Sequence, residues 1–559
     1  MQSSHIEIGK TTVADLVDIM ADQFGTCVAL EYHCLGIKHD FNEFRRICDN
    51  VAKGLMALGI KKGEHIAIWA NNIPEWVYLQ YGSARMGAVL VTVNTSYRNF
   101  ELEYLLKQSD TTTLFMVGGV REPDEYIKIV SDVCPEIKNS DPGKLESAKL
   151  PKLKNLIHMG KEKQSGMFNL EEVIKVGEKI SDDKLKERIE SLEPDDVINM
   201  QYTSGTTGFP KGVMLSHSNL IGNAYSASEC LGVSPQDCVG IPVPFFHCFG
   251  CVIGTLLCMV SGAKMAPVAI FSGKNVLEMI QASKCTVILG VPTMFIAELE
   301  EMENTKYDTS SLRTGIMAGS PCPVEIMKAV ITRMGVKEIT IAFGQTEASP
   351  VITQTRTTDS IERRVNTVGR ALPNVEVKIV DPLTNHELQP GMQGELCCRG
   401  YNVMTGYYKN PGATENAIDT NNWLHTGDLA IMDKDGYCKI TGRIKDMIIR
   451  GGENIYPREI EEFLYTNPKI KDVQVVGLPS KKYGEEIVAF VQLKTGQKAD
   501  KAELKEFCKN KIAFHKIPAF FMFSDEYPTT ASGKVQKFKL REKAIKKIGR
   551  ETAKNIKTA

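Results

Sequence analysis

A glycine-rich loop near the middle of the chain limits what this sequence can fold into. It occupies residues 202–213, reads Tyr-Thr-Ser-Gly-Thr-Thr-Gly-Phe-Pro-Lys-Gly-Val, and follows a strand predicted at 197–201. Glycines let the backbone turn tightly and bring N–H groups close to an anion, while hydroxyls and a lysine add donors and positive charge. The loop has neither the Walker A spacing nor that of a dinucleotide fingerprint. It predicts a phosphate-binding loop before a helix at 217–231; a solvated hairpin is the alternative for the loop taken alone.

Segments with helical spacing alternate with apolar segments typical of buried strands. One-face spacing predicts a helix over 41–58, and the strands predicted at 65–70 and 88–93 flank a helix predicted over 72–87. Such alternation favours an α/β fold with layered and largely parallel sheets. The segment at 139–170 is polar, rich in lysine and weakly patterned, and is predicted to be a surface loop.

The C-terminal part of the chain differs from the rest in pattern and in charge. Short strands with turn signals at 375–399 predict a small β subdomain at about 370–440. Beyond it, residues 445–559 hold more Lys and Arg than Asp and Glu, whereas residues 1–444 hold the opposite excess. This asymmetry predicts a large N-terminal domain over 1–444 and a basic α+β domain over 445–559. The net charge of the whole chain is −1 and gives no support for nucleic-acid binding.

Cysteine usage and hydropathy indicate a cytoplasmic protein. The fifteen cysteines are scattered rather than evenly spaced, which is typical of a reducing compartment. Cys248 and Cys251 form a single C-x-x-C and are predicted to be buried free thiols; a redox motif is the alternative, and zinc is disfavoured because no second pair follows. No secretory signal is predicted at the N-terminus. The charge-free stretch at 238–263 contains two prolines and a histidine, so it is interpreted as buried core with a functional turn and not as a transmembrane segment.

A second motif combines an aromatic residue, a glycine and a glutamate directly after a predicted strand. It reads Phe343-Gly344-Gln345-Thr346-Glu347-Ala348. The ends of strands are where α/β proteins place ligand-binding turns, and a glutamate there offers the carboxylate oxygens that Mg²⁺ prefers. A helix cap is the alternative for this motif in isolation. Together with the phosphate-binding loop, the motif predicts a site for a metal-bound nucleotide.

The loop at 202–213 and the motif at 343–348 resemble those of the adenylate-forming superfamily. That superfamily contains acyl-CoA synthetases, firefly-type luciferases and peptide-synthetase adenylation domains. The loop matches its phosphate-loop signature residue for residue, and the resemblance extends from about residue 11 to about residue 540. It implies layered α/β subdomains and the small β subdomain in the N-terminal domain, followed by a mobile C-terminal lid.

The resemblance implies a nucleotide site in the N-terminal domain. Glu347 is expected to bind the metal, and Phe343 stands where most members carry tyrosine. The turn Gly319-Ser320 resembles the second adenine-side turn of the family. The implied nucleotide contacts of this domain are Thr203, Ser204, Gly205, Thr206, Thr207, Gly208, Lys211, Gly319, Ser320, Phe343, Gly344, Gln345 and Thr346.

An acyl site is implied beside the nucleotide. Phe246 and His247 correspond to the family's aromatic-histidine motif at the floor of the carboxylate pocket, where His247 is expected to line the pocket without acting as a general base. The small residues Ala318 and Gly319 leave room for an acyl chain. A core position is the alternative for a lone histidine in an apolar sequence.

Further roles are implied near the domain boundary and the C-terminus. Asp428 is expected to accept the ribose hydroxyls, Arg443 to contact the nucleotide, and Lys445 to act as the hinge, where many members carry aspartate. Gly451-Gly452-Glu453 belongs to the loop that reaches the thioester-forming site. Lys534 is the implied adenylation lysine, since a fixed cation stabilises the charge that gathers in the transition state. The expected catalytic residues are therefore Lys534, Thr203, Glu347 and Lys445.

These roles imply an acyl-CoA synthetase that uses ATP, Mg²⁺ and CoA and acts on a hydrophobic acid, with a medium-chain fatty acid as first choice. Long-chain and aryl acids follow closely. A ligase that loads a separate carrier protein is the main rival within the enzyme class, and a luciferase-like oxygenase has no positive sign. A non-catalytic acyl-nucleotide sensor and a membrane-embedded transporter are the alternatives of other classes. The sequence leaves monomer and homodimer open.

Overall fold

The computed structural model describes residues 6–203, 210–320, 322–450, 453–480, 482–509, 511–530 and 535–548. Several of the predicted site residues lie outside the described residues. They are Ser204, Gly205, Thr206, Thr207, Gly208, Gly451, Gly452 and Lys534.

The strands and helices have the following bounds in the described chain. The strands are β1 (Val28–Tyr32), β2 (Ile37–Asp40), β3 (His65–Trp69), β4 (Val89–Thr92), β5 (Thr113–Met116), β6 (Asn155–His158), β7 (Phe168–Asn169), β8 (Val197–Thr203), β9 (Lys211–Ser216), β10 (Cys238–Ile241), β11 (Lys264–Pro267), β12 (Val287–Gly290), β13 (Thr314–Ala318), β14 (Glu338–Gly344), β15 (Val351–Gln354), β16 (Arg370–Ala371), β17 (Val375–Val380), β18 (Gln393–Gly400), β19 (Gly406–Tyr407), β20 (Leu424–Met432), β21 (Cys438–Arg443), β22 (Ile448–Arg450), β23 (Glu453–Ile455), β24 (Ile470–Ser480), β25 (Gly484–Leu493) and β26 (Phe520–Phe523). The helices are α1 (Val13–Phe24), α2 (Phe41–Ala57), α3 (Pro74–Met86), α4 (Asn99–Gln108), α5 (Glu125–Val133), α6 (Leu170–Gly177), α7 (Asp182–Glu190), α8 (His217–Leu231), α9 (Cys248–Gly250), α10 (Leu257–Ser261), α11 (Gly273–Ser283), α12 (Pro292–Asn304), α13 (Val324–Ala329), α14 (Ile361–Asn366), α15 (Pro411–Ala417), α16 (Pro457–Tyr465), α17 (Lys501–Cys508) and α18 (Lys537–Ile548).

Two large sheets form the first compact unit, which spans Met1–Glu376 and Cys398–Leu424. One sheet has the strand order β16-β15-β14-β13-β12-β10-β11-β1-β2, and the other has the order β19-β9-β8-β4-β3-β5-β6-β7. Inner neighbours are parallel, as in β12–β13 and β3–β4, whereas antiparallel pairs such as β1–β2 lie toward the edges. This arrangement confirms the predicted α/β class with largely parallel sheets.

Helix α2 forms where the spacing of apolar residues predicts it. The Asp40 carboxylate accepts the backbone N–H of Glu43 at 2.8 Å and so caps the first turn, which otherwise has donors without intrahelical partners. The residues that α2 buries recur at helical spacing on one face. They include Phe41, Phe44, Cys48, Val51 and Leu55.

The prediction of a surface loop at 139–170 is correct only in part: residues 140–154 and 159–167 form no helix or strand, but the segment contains β6 and β7. Within this segment β6 pairs in parallel with β5 and extends the second sheet. Leucines of the segment are buried in the core under that sheet, at irregular spacing among lysines. They are Leu145, Leu150, Leu153 and Leu156. Because the leucines follow neither the helical nor the strand period, the sequence pattern conceals the strand.

The charge-free stretch at 238–263 is buried core, as predicted. It contains β10, α9, a π-helical turn at Cys251–Leu256 and α10, and its apolar side chains are almost all inaccessible to solvent. Within the described residues, no helix combines the length and the apolar character needed to cross a membrane.

The second compact unit spans Val377–Cys397 and His425–Ala559. Short strands predicted near 375–399 are present in a four-stranded sheet of order β17-β18-β20-β21. A further sheet has the order β23-β22-β25-β24, with β26 beside β25, and α16 and α18 pack against β24. The C-terminal part is therefore α+β, as predicted. The boundary between 444 and 445 and the hinge at Lys445 stay predictions.

Candidate active site

Two hydroxyl groups converge on one carboxylate oxygen in the first compact unit. Glu347 lies in a 3₁₀ turn directly after β14 and is half-buried. Its Oε1 accepts a hydrogen bond from the Tyr407 hydroxyl at 2.8 Å and from the Thr203 hydroxyl at 3.4 Å. Thr203 ends strand β8 of one sheet, and Glu347 follows strand β14 of the other sheet. The structure thus brings together two residues from different sheets.

Lys211 lies at the other end of the phosphate-binding loop, close to the same tyrosine. Its Nζ lies 4.0 Å from the centroid of the Tyr407 ring, within the range of a cation–π interaction. Lys211 pairs with Thr203 in the antiparallel ladder of β8 and β9, and Tyr407 pairs with Val213 on the other side of β9. The ladder therefore fixes both ends of the loop beside Glu347.

Tyr407 is a site residue that the sequence reasoning missed. Its side chain is buried. Burial is the larger cause, and the negative charge of Glu347 the second cause, of a Tyr407 pKa that lies well above the usual value. The hydroxyl therefore keeps its proton at neutral pH and donates a hydrogen bond to Glu347. In sequence, a glycine followed by two tyrosines is an ordinary strand pattern, so no signal connects Tyr407 with Glu347.

The turn that carries Glu347 requires a glycine at position 344. A Cβ atom at Gly344 would lie 1.8 Å from the carbonyl oxygen of Pro350, which leaves no space for a side chain. Gln345 donates its backbone N–H to that same oxygen at 2.9 Å and closes the turn. Thr346 is buried, whereas Phe343 and Gln345 are half-buried. The predicted nucleotide-binding turn is therefore a tightly closed structure.

The turn at 318–320 leaves the same sheet next to the Glu347 turn. Strands β13 and β14 are parallel neighbours, and their register pairs Ala318 with Ala342. Gly319 has a φ of +86°, in the left-handed region that favours glycine, and is exposed. Ala318 and Ser320 are half-buried. The two turns predicted to hold adenine and the acyl chain thus lie side by side at one edge.

Polar side chains of the second sheet hold the loop that carries Phe246 and His247. The Asn72 amide accepts the N–H of Phe245 at 2.9 Å and donates to the carbonyl of Val243 at 3.0 Å. Thr92, at the end of β4, donates its hydroxyl to the Phe246 carbonyl at 2.8 Å. Phe246 is buried and His247 is half-buried, with ring centroids 6.2 Å apart. This loop is therefore fixed across the two sheets.

Cys248 and Cys251 are buried free thiols, as predicted. Both are inaccessible to solvent, and burial raises the pKa of the Cys248 thiol far above its usual range and that of Cys251 to about 12. The amide of Gln201 bridges them, since its Oε1 accepts from the Cys248 thiol at 3.0 Å and its Nε2 donates to the Cys251 sulfur at 3.2 Å. Protonated, inaccessible thiols are unsuited to redox exchange.

Asp428 and Arg443 meet in the second compact unit. They are paired across β20 and β21, and Arg443 Nε donates to Asp428 Oδ1 at 2.6 Å. The Asp428 side chain is buried, whereas that of Arg443 is mostly exposed. Lys445 is exposed in the 3₁₀ turn Ile444–Asp446, and Glu453 opens β23 opposite Arg450. Asp428, predicted to bind the ribose, and Arg443, predicted to contact the nucleotide, thus form one ion pair.

Comparison with known proteins identifies the family. Residues 20–408 match the family model described as AMP-binding enzyme, and residues 459–534 match the model described as AMP-binding enzyme C-terminal domain. The chain belongs to the family of AMP-binding enzymes. Within it, the chain is an AMP-forming acid–thiol ligase, which confirms the adenylate-forming class predicted from the two motifs.

Relatives and solved structures cover nearly the whole chain. YngI of Bacillus subtilis (strain 168), whose name describes an acyl-CoA synthetase, is 57% identical over 96% of this chain and 98% of its own length. The mitochondrial medium-chain acyl-CoA ligase ACSF2 of Danio rerio is 40% identical over 98% of this chain and 90% of its own. The crystal structure of ATP-bound MatB from Rhodopseudomonas palustris is 27% identical, with a TM-score of 0.82 over 96% of this chain and 100% of MatB. The matched relatives and structures thus cover residues of both compact units.

Proposed function

We propose that this enzyme converts a hydrophobic carboxylic acid, first of all a medium-chain fatty acid, to its CoA thioester through an acyl-AMP intermediate. The observation that carries the proposal is the convergence of Thr203 and Tyr407 on Glu347, with Lys211 beside them. This arrangement places a carboxylate, hydroxyl donors and a cation where the phosphate-binding loop begins and ends. ATP binding agrees with the family and with the ATP-bound structure of MatB.

The residues expected around the acid favour an apolar substrate. Phe246 is buried, and Ala318 and Gly319 are small residues. The stretch at 238–263 contains no Lys, Arg, Asp or Glu, so neither a second carboxylate nor an ammonium group on the acid has an ionic partner from this segment. The medium-chain ligase named among the relatives supports this choice of acid.

The donor set at Glu347 fits Mg²⁺. The hydrogen bonds from Tyr407 and Thr203 both go to Oε1, so a metal bound through Oε2 leaves both bonds in place. Mg²⁺ at this position supplies positive charge to the phosphate oxygens of ATP. Tyr407 and Thr203 orient the carboxylate, and Lys211 adds a second positive charge.

In the first half-reaction, an oxygen of the substrate carboxylate attacks the α-phosphorus of ATP. The bond to the bridging oxygen breaks, and pyrophosphate leaves with that electron pair. Lys534 is expected to stabilise the charge on the attacking carboxylate and the phosphate, while the loop from Thr203 to Lys211 holds the β- and γ-phosphates. Asp428 is expected to accept the ribose hydroxyls, and Arg443 is expected to contact the nucleotide.

In the second half-reaction, the CoA thiol loses its proton to solvent, and the thiolate attacks the acyl carbonyl. AMP leaves as the carbon–oxygen bond to the phosphate breaks, and a thioester forms. Rotation at Lys445 is expected to replace Lys534 with the loop Gly451-Gly452-Glu453 at the site. The same pocket can then serve two steps that need different neighbouring groups.

The test is release of AMP with Mg²⁺-ATP across straight-chain acids of increasing length and benzoate, with and without CoA. Turnover that requires CoA and peaks at a medium chain length is the expected result. A single stoichiometric burst of pyrophosphate that CoA does not change would favour a carrier protein as acceptor. No consumption of nucleotide with any acid would favour an acyl-nucleotide sensor and overturn the proposal.

The role of Lys534 has a separate test. We expect Lys534→Ala to abolish formation of acyl-AMP but to keep thioester formation from supplied acyl-AMP, because its cation acts only on the phosphate step. The measurement is the rate of each half-reaction in a folded variant. Loss of both half-reactions to a similar degree would contradict the proposal that Lys534 acts only in the formation of acyl-AMP.

The cellular location is also proposed and not established. All fifteen cysteines of the chain are free thiols, and most are buried. Free thiols persist in a reducing compartment, so we expect the enzyme to work in the cytoplasm.

A further inference from the structure

A group of metal-ligating side chains lies in the second compact unit, apart from the Glu347 site. Glu395 and Cys397 lie two residues apart on β18, and His425 lies on the neighbouring strand β20. Among the residues that the structure describes, these form the one group of three or more His, Cys, Asp or Glu whose ligand atoms all lie within 4.8 Å of one another. The group is not part of the reaction proposed above.

The distances within this group are close to those of a tetrahedral metal site. His425 Nδ1 lies 2.9 Å from Glu395 Oε2 and 3.4 Å from Cys397 Sγ. Bond lengths of about 2.0–2.3 Å to Zn²⁺ place neighbouring ligand atoms of a tetrahedron roughly 3.3–3.6 Å apart. An opening of a few tenths of an ångström between Glu395 and His425 would therefore admit the ion.

The convergence on one nitrogen distinguishes this group from an ordinary ion pair. Nδ1 of His425 presents either one proton or one lone pair in the plane of the ring. Glu395 Oε2 and Cys397 Sγ both approach that atom, so Nδ1 cannot donate to one and accept from the other at the same time. A cation placed between the three atoms interacts with all of them at once.

The surroundings hold the ligands and leave a path for the ion. The other carboxylate oxygen of Glu395 accepts the backbone N–H of Gly427 at 2.8 Å, which fixes the orientation of the carboxylate. Cys397 is fully buried, whereas the side chains of Glu395 and His425 are 10% and 20% exposed. Solvent therefore reaches the site from the His425 side, where a water molecule can complete the coordination.

We propose that Glu395, Cys397 and His425 bind a thiophilic divalent cation, with Zn²⁺ as the best match. A thiolate, a carboxylate and a neutral imidazole suit Zn²⁺ or Co²⁺, whereas Mg²⁺ prefers oxygen ligands only. Binding forms a metal–sulfur bond and releases the thiol proton of Cys397 to solvent, with no change in oxidation state. The site lies immediately before Asp428, because the same Glu395 carboxylate holds Gly427.

The test uses Co²⁺ as the probe on the reduced, full-length protein without ATP or acid. A cobalt–thiolate charge-transfer band that saturates near one equivalent and disappears when Zn²⁺ is added is the expected result. Cys397→Ser should remove the band. Because the assay needs no substrate, its outcome does not depend on the proposed reaction.

Cys398→Ser is the matched control. Successive residues of a strand point to opposite faces, and the Cys398 sulfur lies 4.0 Å from the Asn402 amide, away from His425. The band should persist in Cys398→Ser. If the parent gives no band, or if the band is equally strong in Cys397→Ser, the proposal is wrong, because the fifteen cysteines offer other thiols.

His425→Gln provides a second variant in case Cys397→Ser fails to fold. It removes a nitrogen ligand and keeps the cysteine, so we expect cobalt affinity to fall roughly tenfold or more. Alkylation of Cys397, followed by mass spectrometry, adds an independent readout: Zn²⁺ should slow labelling of Cys397 in the parent and not in His425→Gln. Unchanged cobalt affinity in His425→Gln would overturn the proposal.

Discussion

Replacing Tyr407 with phenylalanine isolates one hydrogen bond at the candidate active site. The substitution removes the hydroxyl that donates to Glu347 Oε1 at 2.8 Å. It keeps the aromatic ring over which the Lys211 ammonium lies at 4.0 Å. The change therefore tests the orientation of Glu347 without removing the neighbouring cation.

The expected size of the effect follows from the charge of the acceptor. A hydrogen bond to a charged group contributes about 1.5–3 kcal/mol, and each 1.36 kcal/mol corresponds to a tenfold change in rate. If the bond acts fully in the transition state of adenylation, kcat/KM for Mg²⁺-ATP falls roughly 10- to 150-fold. The Thr203 hydroxyl is 3.4 Å from the same oxygen and retains part of the orientation, so the lower end of this range is expected.

The assay is pyrophosphate release at varied Mg²⁺-ATP, with Tyr408→Phe as the matched control. Tyr408 is the next residue along the chain, and its hydroxyl donates to Asp110 at 3.0 Å instead of to Glu347. We expect Tyr408→Phe to retain nearly full adenylation activity. Equal kinetics in the two folded variants would refute the argument that Tyr407 orients Glu347.

Three further perturbations test the metal site, the core and a buried histidine. Glu347→Gln removes the carboxylate charge and should lower the rate of adenylation more than a hundredfold. It should also raise the Mg²⁺ concentration needed for the half-maximal rate. An unchanged Mg²⁺ dependence would contradict the metal role of Glu347. Phe245→Ala should lower the free energy of unfolding by about 3–5 kcal/mol in a denaturant titration, because Phe245 is fully buried. Phe514 is 84% exposed, so Phe514→Ala should change the same free energy by less than about 0.5 kcal/mol. Equal effects of the two substitutions would refute the packing argument. Burial lowers the pKa of His217 to about 3, and its neutral Nδ1 accepts the backbone N–H of Val13 at 2.9 Å. The unfolded chain binds a proton there below pH ~6.5, so this residue alone should lower the free energy of unfolding by about 1.3 kcal/mol between pH ~7 and pH ~5.5. His217→Gln should remove that part of the pH dependence, and identical pH dependence in both proteins would contradict it.

Local patterns in the sequence are sufficient to predict many of the helices and strands of the fold. Helix α3 begins at Pro74, a residue favoured in a first turn, and ends before Gly87, whose φ of +76° suits glycine. The bounds of α3 lie within two residues of the helix predicted over 72–87. The strand β6 lacks such signals, because the buried leucines of its segment follow no regular period, and the sequence analysis misses it.

The candidate site likewise contains residues that the sequence predicts and one, Tyr407, that it does not. Thr203, Lys211 and Glu347 stand in motifs that a single sequence reveals, and the structure brings Thr203 and Glu347 into hydrogen-bonding distance across 144 positions of chain. Tyr407 enters the site because β19 pairs with β9. Strand pairing between distant segments is a property of the sheet, so no local pattern predicts this contact.

The loop that carries Phe246 and His247 affects how the substrate range of this enzyme can change in evolution. Its backbone is anchored by Asn72, which lies after β3 of the second sheet, and by Thr92, the last residue of β4. An insertion or deletion in the loop would break several buried hydrogen bonds at once, which is costly. We expect homologues that accept longer or shorter acids to differ in the volume of side chains that line the loop, at an unchanged loop length.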